Sequence, residues 1–159
     1  MKRSIPYYDW SVRVQSIYPI SRNWPVPKFM MAPCNKKVLA FRRPYIRNDS
    51  LISLKYEFPG GKVKKNENEI TALKRELQEE LSLNIGNFKK FYFTSHDYIK
   101  YSVDISFYLN ELKHLNFKLN FHNEYKIICI EDLKELDWLQ ADYSVIDYIQ
   151  KNGLRNNLI

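Results

Sequence analysis

Residues 61–83 read GKVKKNENEITALKRELQEELSL, and the fold follows from this stretch. Ile70, Leu73, Leu77 and Leu81 recur at helical spacing and make one apolar stripe, which predicts a helix over 68–82. Asn66 or Asn68 is placed to cap its start, and Glu67 and Glu69 suit the positive end of the helix dipole. Glu76, Glu79 and Glu80 stand at i, i+3 and i+4, so they share a second face, roughly 110° from the centre of the apolar stripe. One face of the helix is bound for a core while the other presents carboxylates.

Like charges at these spacings repel by ~0.2–0.5 kcal/mol per pair. A divalent cation among them would relieve that repulsion. Oxygen ligands without nearby His or Cys select Mg²⁺, Mn²⁺ or Ca²⁺. A solvated acidic face has the same spacing, so the helix alone does not decide. The preceding residues, Pro59-Gly60-Gly61-Lys62, add to the case. Glycines allow close backbone approach, so their N–H and C=O groups can face a phosphate or a metal, and Lys62 adds a positive charge.

Working outward, residues 54–58 read as a short strand that stops at Pro59, and 37–42 as another, with Val38, Leu39 and Phe41. Pro44, Asn48 and Asp49 predict a loop over 43–51. Residues 89–96 and 101–109 read as two antiparallel strands, the second alternating through Val103, Ile105, Phe107 and Leu109. Residues 124–130 form a further strand, 131–136 a helical turn, and 145–151 a closing helix. Strands on both sides of an amphipathic helix give a layered α/β or α+β domain. Residues 1–30 hold four prolines among aromatic and basic side chains, an irregular arm around one candidate strand at 11–18, and 31–159 form the main domain.

The chain has 159 residues, enough for one domain with a sizeable core, and its 45% apolar and 27% charged content excludes disorder along its whole length. No apolar run reaches the ~18 residues of a membrane span, and the N-terminus lacks the apolar segment of a secretory signal, so a cytoplasmic location is expected. Cys34 and Cys129 are far apart and read as two free thiols. The net charge of +7 is uneven: residues 1–62 carry +9 and the remainder −2. A cationic half beside an acidic half suits a polyanionic ligand that also meets a metal. The basic half keeps RNA open as a partner, although core packing explains most of the aromatic residues. Oligomeric state is not encoded in any of these features.

Gly61, Glu67, Arg75, Glu76, Leu77, Glu79, Glu80 and Leu83 match eight of the nine defined positions of the Nudix hydrolase signature, G-x5-E-x7-R-E-U-x-E-E-x-G-U, in which U is a bulky aliphatic residue. Ser82 stands where the family has glycine, at a cost of ~1 kcal/mol if that position is left-handed. Glu57-Phe58-Pro59-Gly60-Gly61-Lys62, and residues 136–142 near the C-terminus, resemble the MutT-type nucleoside triphosphate pyrophosphohydrolases.

The resemblance implies an α-β-α sandwich around a mixed sheet and hydrolysis of a nucleoside triphosphate to monophosphate and pyrophosphate. It implies Mg²⁺, with Mn²⁺ able to substitute, on Glu76, Glu79, Glu80, the Gly60 carbonyl and Glu124. Arg75 would orient a carboxylate, and Glu76 or Glu124 would take the proton of the attacking water. Glu67 would be structural. Arg43, Lys62 and Gly61 would bind phosphate, and Phe58 and Asp142 the base. Asp142 also reads as a plain helix N-cap. The base is open between an oxidised guanine and a cytosine. A dinucleoside polyphosphate, an ADP-ribose-like diphosphate, an RNA 5′ end, or binding without catalysis remain alternatives.

Overall fold

The computed structural model describes residues 11–17, 19–20, 36–99, 101–110 and 115–154. Most of residues 1–30, including the tryptophans of the expected arm, lies outside them. The strands are β1 (Ser11–Ile17), β2 (Pro19–Ile20), β3 (Lys37–Arg42), β4 (Tyr56–Glu57), β5 (Gly60–Lys62), β6 (Lys89–Asp97), β7 (Ser102–Leu109) and β8 (Glu124–Cys129). The helices are α1 (Glu69–Leu81) and α2 (Tyr143–Asn152), with 3₁₀ turns at Ile130–Glu135 and Gln140–Asp142.

One sheet runs β5-β1-β7-β6, and the other joins β2, β3 and β4, with β8 also on β3. β1 and β7 are parallel, and every other strand pair is antiparallel, so the sheet structure is mixed. Strand alternation sorts the core into two layers. On β3, Leu39 and Phe41 pack with Leu73, Leu77 and Leu81 of α1, whereas Val38 and Ala40 pack with Val145, Ile146 and Ile149 of α2. On β7, Val103, Ile105, Phe107 and Leu109 all enter the α2 layer, as their alternation requires. Helices on both faces of the strands make the expected α-β-α sandwich. Each buried leucine of α1 contributes ~1.5–3 kcal/mol of transfer free energy to that docking.

Asn68, not Asn66, caps α1: its side chain accepts the Thr71 N–H at 2.8 Å. Asn68→Ala is expected to cost about 1 kcal/mol in urea unfolding, with the slope of the transition unchanged. Ser82 ends the helix at φ 54°, the left-handed conformation the family glycine adopts freely. Its hydroxyl takes a hydrogen bond from Asn120 Nδ2 at 2.9 Å, which offsets part of the backbone cost.

Two readings need correction. The chain does not leave the sheet at Pro59-Gly60-Gly61; Gly60–Lys62 is β5, paired with β1. Two adjacent glycines look like a turn in sequence, yet they are a strand that another group must approach closely. β1 takes up the candidate strand at 11–18 and lies between β5 and β7. Cys129 is in a disulfide rather than free. Its β-partner Lys37 lies far away in sequence, so cysteine spacing could not reveal that setting; Cys34 is outside the described residues.

Candidate active site

The corner between β4, β5 and the C-terminal half of α1 gathers the motif. Gly60 has φ 150°, a conformation side-chain-bearing residues rarely adopt. Its N–H donates to Glu80 Oε2 at 3.1 Å. Gly61 is glycine for a different reason. A Cβ there would fall 2.3–2.6 Å from the Glu76 carboxylate, so the missing side chain is the space that carboxylate occupies.

Arg75 fixes that carboxylate. Its Nη1 donates to Glu76 Oε1 at 2.7 Å, and its Nε and Nη2 make a bidentate pair with Glu67 at 2.9 Å each. Nη2 also donates to the Lys62 carbonyl, which ties α1 to β5. Glu67 further accepts the Lys64 N–H at 3.0 Å. The Arg75 hydrogen bonds, with that N–H, hold Glu67 down to about 2. Glu67 is therefore a brace for the arginine. Glu79 faces solvent, with Arg75 Nη1 at 3.5 Å.

Two residues that the motif did not flag complete the corner. Glu57 is buried; Arg43 Nη1 donates to both its carboxylate oxygens at 2.9 Å, and His122 Nε2 lies 3.0 Å from Oε1. One donor atom each from Glu57, Glu80 and His122 fall within 4.8 Å of one another. Burial works to raise Glu57, but the His122 hydrogen bond and the Arg43 charge outweigh it and keep the carboxyl below its ordinary range. Glu80 goes the other way. Burial and then the Glu57 charge push it up to about 8, against the opposing Gly60 N–H.

This has a testable sign. Between its ordinary value of 4.5 and about 8, folded Glu80 keeps a proton that the unfolded chain has released. Raising the pH through that window therefore weakens the metal-free fold. A cation that takes the ionised carboxylate reverses the effect. In thermal melts, Mg²⁺ is expected to raise Tm more at pH 8 than at pH 6. An equal or larger gain at pH 6 would contradict this coupling.

The other anticipated residues have partners or settings of their own. Glu124 pairs with Arg42 across β8 and β3. Its carboxylate accepts from the Tyr56 hydroxyl and from Arg42 Nη1 at 3.4 Å. The register explains this: Phe41 pairs with Glu57 and Arg42 with Tyr56, so Glu57 and Arg43 share one face and Arg42, Tyr56 and Glu124 the other. Lys62 is exposed. Arg43 reaches the corner but is engaged with Glu57 and lies 5.2 Å from the Phe121 ring centroid.

Phe58 is fully buried, with its ring 4.8 Å from that of Trp138 and edge-on to Phe107. Its ring is core rather than an open platform. Asp142 occupies the N-cap position of α2 yet makes no side-chain capping bond. Its fully buried carboxyl instead takes the Phe58 N–H at 3.4 Å. Burial, followed by the Glu57 charge, pushes it well above the usual carboxylate range.

Carboxylate donors such as Glu76, Glu79 and Glu80 suit a hard divalent cation, and the cradle at Gly61 shows that the backbone is shaped around one of them. No helix among the described residues is long and apolar enough to cross a membrane.

Comparison with known proteins agrees with this geometry. The NUDIX domain model matches residues 24–149. An 8-oxo-dGTP diphosphatase of Buchnera aphidicola is 34% identical over 121 residues, covering 75% of this chain and 91% of that protein. The MutT protein of Methanosarcina mazei superposes with a TM-score of 0.70 at 16% identity, over 94% of this chain and 99% of the other. A MutT of methicillin-resistant Staphylococcus aureus gives 0.63 at 30% identity, over 92% and 99%. The chain therefore belongs to the NUDIX domain family as a MutT-like pyrophosphohydrolase.

Proposed function

We propose that the protein hydrolyses 8-oxo-dGTP to 8-oxo-dGMP and pyrophosphate in a Mg²⁺-dependent reaction. The observation that carries the phosphate chemistry is the Glu76 carboxylate seated against Gly61 and fixed by Arg75, beside Glu80 on the Gly60 N–H. The substrate follows from the names of the curated relatives, both 8-oxo-dGTP diphosphatases.

Glu76, Glu79, Glu80 and the Gly60 carbonyl would hold Mg²⁺, with Mn²⁺ an acceptable substitute. When bound, the ion neutralises phosphate charge and acidifies water. Arg75 keeps Glu76 in one orientation, so the carboxylate does not have to be ordered during turnover. Glu76 is also the stronger assignment for accepting the water's proton, since Glu124 is held by Tyr56 and Arg42 on the other strand face. Lys62, exposed next to the glycine pair, and Arg43 would meet the triphosphate. Asp142, its carboxyl pushed up by burial, can accept from a base edge and, when protonated, donate to it.

A panel of nucleotides with Mg²⁺, scored for pyrophosphate against orthophosphate, tests this reading. Pyrophosphate from 8-oxo-dGTP, with kcat/KM roughly tenfold or more above that for dGTP, is expected. Turnover confined to a dinucleoside polyphosphate or a diphosphate sugar would overturn the substrate assignment.

A further inference from the structure

Gln15 lies on β1 directly opposite Gly60 across the β1–β5 pair and opposite Phe107 across β1–β7. Its side chain is 3% exposed and hydrogen-bonds to Asp142. Because that bond uses the amide N–H, the amide oxygen is left over, and Oε1 has no partner; nor has Asp142 Oδ1. These are two unpaired polar oxygens from neighbouring buried side chains, between the glycine corner and the first turn of α2. An unpaired buried acceptor is costly, and such a group persists where a ligand or a water completes it.

We propose that Gln15 is a specificity-determining residue, whose amide oxygen acts with Asp142 to read the edge of the substrate's base. This rests on the 8-oxo-dGTP reading above. An amide oxygen only accepts, so it selects ring N–H groups. An 8-oxopurine carries an N–H at position 7, where an unmodified purine presents a bare acceptor nitrogen. A fixed acceptor thus gains a hydrogen bond with the oxidised base and faces a lone pair with the normal one. Sites built around buried hydrogen-bonding groups discriminate strongly, because the wrong ligand leaves those groups unpaired. Sequence patterning passes over Gln15, a lone polar residue in a strand whose neighbours carry the alternation.

The test is calorimetric titration of the full chain with 8-oxo-dGMP and dGMP, together with thermal melts, for wild type and Gln15→Met, with Gln15→Asn as a second variant that retains a shortened amide. Wild type is expected to prefer the oxidised nucleotide, and Gln15→Met to bring the two affinities to within about threefold of each other with only a small change in Tm, since removing the unpaired oxygen offsets part of the lost hydrogen bond to Asp142. Gln15→Asn gives the same comparison if the methionine variant does not fold. Preference retained in the variants overturns the inference and leaves the substrate reading standing. Equal losses for both nucleotides with a lower Tm show a packing role only and also overturn it. Wild-type protein that turns over another nucleotide and shows no preference for the oxidised base overturns the substrate reading itself.

Discussion

Glu79→Gln and Glu80→Gln are each expected to lower turnover at least about a hundredfold while the domain stays folded. The two positions reach that outcome by different routes. Glu79 is exposed, with only the 3.5 Å approach of Arg75, so an amide there disturbs no packing. Glu80 is raised to about 8 by burial and by Glu57, and so is protonated near neutrality when no cation is bound. Glutamine mimics that neutral form, and the metal-free Tm should hold or rise. On the proposed metal assignment, both variants would lose an anionic oxygen ligand. Steady-state rates across a Mg²⁺ titration, read beside circular dichroism melts, separate the effects. Near-wild-type rates in both variants would discredit the metal assignment.

Gly61→Ala should be nearly as damaging for a steric reason. The new Cβ would land 2.3–2.6 Å from the Glu76 carboxylate atoms. Those atoms are the free end of a flexible side chain, so the fold can yield by moving Glu76 to another rotamer, at ~0.5–1.5 kcal/mol. The carboxylate cannot move and also keep its 2.7 Å bond to Arg75. A displacement of about 1 Å at a reacting group can cost on the order of a hundredfold in rate. The expected result is a small drop in Tm with a large drop in kcat. A large loss of stability with kcat preserved in the folded fraction would show that Gly61 serves the strand alone.

Much of this was legible in the sequence because it is local. The α1 stripe, its Asn68 cap, the Glu76–Glu79–Glu80 face and the alternation of β7 each rest on spacing within one element, and each stands in the structure. What escaped depends on register between distant strands. Glu57 lies next to the glycine pair, yet its burial follows from pairing with Phe41, and its charge is compensated by Arg43 and by His122 from a segment without periodicity. The signal that could have flagged it is its place in the segment 57–62 that matches the MutT type. Glu124 shows the converse: family position suggests a ligand, while the β3–β8 register turns it towards Arg42 and Tyr56. Phe58 is fully buried against Trp138 and Phe107, a setting that one aromatic before Pro59 does not announce in sequence.

The central claim is that the carboxylate face of α1, with the Gly60 carbonyl, gathers the divalent cation on which hydrolysis depends. Anomalous diffraction from crystals grown with Mn²⁺ and a bound nucleotide reads it directly. Ion density beside Glu76, Glu79, Glu80 and the Gly60 carbonyl is the expected result. An ordered nucleotide with no ion at those oxygens, or with manganese held elsewhere, would contradict it.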